Sequence, residues 1–134
     1  MSGSEGGGSH HIEDLGLAPQ GFIGDEYVVE LDLAPRHLNI GGIVHGGVLC
    51  SLLDTAMARS FFMAETGDKL SAATLEMKIN FLGSAKSGKL TARGRVAHRT
   101  QRTAFVEGWI EDEEGRPLAR ATATIMVFAT GGVR

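Results

Sequence analysis

The chain has 134 residues, 43% of them hydrophobic and 22% charged, the profile of one ordinary globular domain. A formal net charge of −3 supplies no basic field for nucleic acid, and no apolar run reaches the roughly 18 residues of a membrane span. The single Cys50 excludes an intramolecular disulfide and suits a reducing compartment, so the expected setting is cytoplasmic.

Residues 1–20 read as a flexible tail. Its start, MSGSEGGGSHH, is of low complexity, and His10 and His11 read as solvated side chains. A single domain is expected over residues 21–130. Its first strand lies within 24–33, where Tyr27, Val29, Leu31 and Leu33 alternate with Val28, Glu30 and Asp32. Ala34-Pro35 ends that strand, and Asn39 with the Gly41-Gly42 pair marks a loop.

The stretch from 39 to 62, NIGGIVHGGVLCSLLDTAMARSFF, runs from this glycine-rich loop straight into a helix that is apolar nearly all round. Ala, Leu and Met favour a helix, no proline interrupts it, and its start is expected near Gly46 or Gly47. At helical spacing Gly47, Ser51, Asp54 and Ala58 form one narrow stripe, while Val48, Leu49, Leu52, Leu53, Ala56 and Met57 cover the rest. Asp54 is then an acid in the middle of a buried helix, a costly placement unless it is bonded, paired or held for chemistry. Cys50 reads as a small core residue rather than a nucleophile.

Residues 65–68 stop the helix, and a strand with Ala73, Leu75, Met77, Ile79 and Phe81 in alternation follows. After a turn at 83–88, further strands are expected near 90–96, 103–111 and 118–128. The last of them places Ala119, Ala121 and Ala123 on one side, suited to close packing on a helix. About five strands and one long helix give an α+β chain, in which a curved antiparallel sheet wraps the helix, the hotdog fold. One sheet face cannot cover the whole helix, so a homodimer is expected to complete its burial.

The first N–H groups of a helix lack intrahelical partners and carry the positive end of its dipole, so Gly46 and Gly47 can offer donors to an oxygen with no side chain in the way. The same residues also suit a plain tight turn into the helix. Asp54 lies eight residues beyond Gly46, about 12 Å along the axis, too far to serve the same carbonyl comfortably within one chain. A site that used both would draw on two subunits. The five histidines show no metal-ligand spacing, and no GxSxG elbow is present.

Asn39, His45-Gly46-Gly47 six residues on, Asp54 nine residues beyond His45, and Thr74-Leu75-Glu76 leading to Asn80-Phe81-Leu82 resemble the hotdog acyl-CoA thioesterases of the phenylacetate-degradation (PaaI-like) type. The resemblance spans residues 31–128. It implies that Asn39 and the Gly46 N–H polarise a thioester carbonyl and that Asp54 of the partner subunit acts as general base or nucleophile. Thr74 would orient the attacking water, and His45 would shape the turn. It further implies an acyl-CoA substrate, a homodimer pairing into a homotetramer, and no metal or cofactor. Gly47, Arg99, Arg102 and Lys86, the last beside Lys89, become candidates to meet coenzyme A and its phosphates. Solvated turn residues are the alternative for each of these cations.

Two other functions fit the same pattern. A non-catalytic acyl-CoA binding module would use the groove but has no evident need of a buried acid. A hotdog enoyl-thioester hydratase pairs a catalytic His with an acid, whereas His45 here directly precedes two glycines.

Overall fold

The computed structural model describes residues 10–64 and 70–129. In chain order these form α1 (His10–Leu15), β1 (Ala18–Ile23), β2 (Glu26–Asp32), a 3-10 turn (Pro35–His37), α2 (Gly46–Phe62), β3 (Leu70–Phe81), β4 (Lys89–Arg99), β5 (Thr103–Glu111) and β6 (Pro117–Ala129). All six strands join one antiparallel sheet in the order β1-β2-β4-β5-β6-β3. The helix-plus-curved-sheet expectation holds, with six strands instead of five.

The added strand is β1, which pairs with β2 through a two-residue turn in which Gly24 has φ +64°. Ala18–Ile23 reads APQGFI, where Pro19 and Gly21 erase the alternation that marks a strand, and its register shifts between those two residues. Proline is tolerated there because β1 is an edge. Just before it, the segment read as tail forms the short helix α1, closed by Gly16 at φ +80°, whose N–H donates to the Ile12 carbonyl at 3.1 Å. Ile12 and Leu15 pack on the core, and Leu17 is buried in it.

α2 begins at Gly46 as expected and ends at Phe62; the anticipated stop signal at 65–68 lies outside the described residues. Its buried face, with Leu49, Leu52, Leu53, Ala56, Met57 and Phe61, lies mainly on β4, β5 and β2. At Gly94 the sheet approaches so closely that an added methyl would sit 2.3 Å from the Ala56 carbonyl oxygen, so helix backbone and strand backbone touch. The inward positions of β6, Ala119, Ala121 and Ala123, are buried as small packing residues.

The helix is not wrapped on all sides within one chain. Gly46, Gly47 and Asp54 are exposed, and Cys50, Ser51 and Ala58 are half-buried. The stripe of small residues around Asp54 is therefore the open face of α2, because a single sheet covers only the opposite side. β3 forms the other edge of the sheet and makes little contact with the helix.

Candidate active site

The turn into α2 is built from the loop upward. Asn39 opens it: the Asn39 N–H donates to the Ile43 carbonyl at 2.8 Å, and the Ile43 N–H donates to Asn39 Oδ1 at 3.3 Å. Since the side-chain NH2 of Asn can only donate, this bond assigns Oδ1 to the loop and leaves the Nδ2 hydrogens as the group available to a ligand. The Val44 N–H is held by the Ala85 carbonyl at 2.9 Å, and the His45 N–H by the His37 carbonyl at 2.9 Å. His45 is the N-cap, extended at φ −62° and ψ 137°, and its carbonyl takes the first helical bonds from Val48 and Leu49. Its ring is exposed and makes no cap bond, so its service to the turn is through the backbone.

Gly46 and Gly47 follow with their N–H groups at the positive end of the helix dipole. A methyl on Gly47 would meet nothing within 4 Å, and one on Gly46 would come to 3.5 Å from the Phe81 ring. The helix start is thus open over Gly47 and walled by Phe81 at Gly46. Asn39 and His45-Gly46-Gly47 thus stand at the two ends of one hydrogen-bonded loop that leads into the helix.

Asp54 stands two turns further along the open stripe. One side of its carboxyl meets solvent, yet the surrounding protein removes enough water to push its pKa above the ordinary carboxylate value, with His11 pulling it back down. Burial and then Asp54 push the Cys50 thiol upward, which disfavours its thiolate; the residue is half-buried on the helix flank and not the core residue expected from the sequence.

Thr74 lies on β3 opposite Ile125, and the register slips between Thr74 and Glu76 so that Leu75 is left unpaired. Because Ile125 points to the core, Thr74 shares the helix-facing side of the sheet. It is seven residues from Phe81, about 23 Å along an extended strand, and so is remote from the Gly46 turn of its own chain. A single chain therefore does not bring Asn39, Gly46, Asp54 and Thr74 together.

Nor do the cations form one group. Lys86 precedes β4 and Lys89 opens it, whereas Arg99 closes the strand about 33 Å from Lys89 at strand rise and Arg102 lies in the turn beyond. Lys89 pairs with Glu30 at 3.2 Å. Lys86 lines an open cavity of about 370 Å³ shared with Asp112, Glu113, Glu114 and Arg116, a mixed-charge setting. Arg99 lies over the Phe61 ring at 5.3 Å and donates to the Thr100 carbonyl, while Arg102 is exposed. Among the described residues, no three His, Cys, Asp or Glu side chains gather as a metal site.

Pattern reading overlooked two histidines. His37 is buried, its Nδ1 accepting from the Ala34 N–H at 2.9 Å and its Nε2 lying 2.6 Å from the Leu15 carbonyl. His11, read as solvated, hydrogen-bonds Ser51 Oγ at 2.8 Å beside Asp54. A signal for the first turn of this assembly was present: Ile12 and Leu15 at helical spacing, followed by Gly16.

One long helix laid on a curved antiparallel sheet, with an acid on the helix's open face, is the hotdog arrangement, and comparison with known proteins gives it a family. Residues 41–119 match the thioesterase superfamily, and the chain belongs to that family. Proteins of the phenylacetic acid degradation (PaaI) type are among its structural neighbours. The chain is similar, at 25% identity and TM-score 0.78, to a variant of the phenylacetic acid degradation protein PaaI from Thermus thermophilus, over 88% of this chain and 98% of that one. The conserved protein PA5202 from Pseudomonas aeruginosa is 29% identical with TM-score 0.81, over 90% of this chain and 94% of that one. Thioesterase HI1161 from Haemophilus influenzae shares the fold, with TM-score 0.83 at 22% identity, covering 89% and 82% of the two chains.

Proposed function

We propose that this member of the thioesterase superfamily hydrolyses a short-chain, medium-chain or aromatic acyl-CoA to the free acid and coenzyme A. The observation that carries this reading is the open stripe of α2, which starts at the uncovered Gly47 of the helix N-terminus and runs to the carboxyl of Asp54 on one accessible helix face. A thioester has a good thiolate leaving group and weak resonance, so an oxyanion site and an activated water or a carboxylate suffice for its hydrolysis. In this reading the Gly46 N–H and the Asn39 amide polarise the carbonyl. Asp54 of the partner subunit either takes a proton from the attacking water or attacks the carbonyl itself, and Thr74 orients that water. Either route breaks the C–S bond, releases the thiol and ends with one water consumed.

The site is shared in a homodimer, with further pairing to a homotetramer. Support comes from apolar side chains without cover in one chain: Ile40 at the tip of the Asn39 loop is fully exposed, and Leu75, Phe81 and Leu82 on or after edge strand β3 are each 54% exposed. Pairing through this edge would cover them and bring a second Asn39-to-Gly47 turn toward the Asp54 face. Arg102 is the remaining candidate for a phosphate contact. No helix among the described residues is long and apolar enough to cross a membrane, and a cytoplasmic setting is part of the proposal.

A thiol-release assay across a panel of acyl-CoAs tests the reading. Saturable release with at least one short, medium or aromatic acyl group is expected. Tight acyl-CoA binding without release would instead make the protein a binding module.

A further inference from the structure

α1 is fastened at its C-terminal end. Ile12 and Leu15 pack on the core, the Leu17 N–H donates to the Ile12 carbonyl at 3.0 Å, and the Leu15 carbonyl is held by buried His37. This anchorage carries His11 across to the open face of α2, where its Nε2 meets Ser51 Oγ at 2.8 Å. Ser51 and Asp54 are three residues apart and share one helix face.

We propose that His11, held over Ser51 by the anchored α1, is a positioning residue for Asp54: its imidazole roofs one side of the small-residue stripe on which the carboxylate stands. This rests on the reading of Asp54 as base or nucleophile. α1 carries His10, His11, Glu13 and Asp14, α2 carries Cys50 and Arg59 besides Asp54, and on β2 buried Tyr27 has a hydroxyl that accepts from Arg59 at 3.4 Å. Among them His11 is the group that draws the Asp54 carboxyl down against the effect of burial. The strands beneath α2 face it with Val29, Leu31, Leu90, Ala92, Val106 and Ile110, all apolar. His11 thereby favours the ionised acid that either chemical route needs.

The test uses His11→Ala, His11→Gln and Ser51→Ala in the full chain, with two readouts. In the pH dependence of thiol release, His11→Ala is expected to move the acid limb to higher pH and to lower kcat/KM on that limb by up to about fivefold, the range of an exposed charge pair. His11→Gln, which can still bond Ser51 but carries no charge, is expected to show the same displaced limb with KM near the parent value. Ser51→Ala should displace the limb less than His11→Ala. The second readout is the carbon-13 titration of the Asp54 carboxyl, which needs no substrate; it should move upward in His11→Ala and His11→Gln. An unchanged Asp54 titration overturns the proposal, even if the enzyme is active. A shifted titration in a protein that hydrolyses no acyl-CoA keeps His11 as the group that sets Asp54 and overturns the thioesterase reading instead.

Discussion

Buried His37 donates its Nε2–H to the Leu15 carbonyl at 2.6 Å while its Nδ1 accepts from the Ala34 N–H. Acceptance at Nδ1 fixes the tautomer, so a single ring ties the end of α1 to the 3-10 turn. The His37 carbonyl then holds the His45 N–H, and the same residue links the N-terminal helix to the start of α2.

Replacing His37 by Ala strands a carbonyl and an N–H and leaves a void. The expected loss is about 2–4 kcal/mol in urea unfolding, the range for buried polar groups deprived of partners. Amide exchange in α1 should rise in the same variant. A loss below about 0.5 kcal/mol would mean that α1 and the turn are held by other contacts.

Two glycines under α2 should respond differently to alanine. At Gly94 the new methyl would lie 2.3 Å from the Ala56 carbonyl oxygen, which cannot give without moving the helix. At Gly108 the neighbour is the Met57 side chain, with Cγ at 2.8 Å, which can take another rotamer. Gly94→Ala is expected to cost at least about 3 kcal/mol and Gly108→Ala about 1 kcal/mol. Equal losses by denaturant unfolding would contradict the backbone contact.

Arg99 and Arg102 sit in one turn but should behave as different residues. Arg99 covers the Phe61 ring, so Arg99→Ala should lower Tm through the loss of a cation–π contact worth about 0.5–1 kcal/mol. Arg102 is exposed, so Arg102→Ala should leave Tm unchanged and raise KM for acyl-CoA about three- to fivefold with little change in kcat. An unaltered KM with every acyl-CoA would take the phosphates away from this turn.

These contrasts also mark how far pattern reading reaches. The start of α2 at Gly46 and the stripe of Gly47, Ser51, Asp54 and Ala58 follow from periodicity alone, because the sheet imposes one buried face on the helix. The alternation of Met77, Ile79 and Phe81 likewise locates β3. α1 is illegible for the opposite reason: six residues make no stable helix by themselves, and this one depends on His37, more than twenty positions away. The His11 bond to Ser51 spans 40 residues and leaves no local trace. Lys86 and Arg102 look like one cluster because sequence proximity hides the length of an extended strand between them. Periodicity places Asp54 on a buried helix, and its open side reflects how little of α2 one sheet can cover.

The raised carboxyl of Asp54 also makes a stability prediction with a definite sign. Its native pKa lies above the unfolded value, so the native state binds more protons in the window between them, and stability falls as pH rises through it. Asp54→Asn removes this penalty. The variant should melt at or above the parent Tm at neutral pH, and the difference should vanish in acid, where Asp54 is protonated in both states. A variant less stable than the parent at neutral pH and equally so in acid would mark Asp54 as a structural hydrogen-bonding residue.

Whether Asp54 performs the chemistry of thioester hydrolysis is decided by steady-state thiol release from purified Asp54→Asn, run beside the parent on the same acyl-CoA. The amide keeps the shape of the side chain but loses its charge and basicity. The expected result is a fall in kcat of at least ~10²-fold in a variant that remains folded and melts no lower than the parent, the scale of losing a positioned proton acceptor. A kcat within a few-fold of the parent would contradict a chemical role for Asp54.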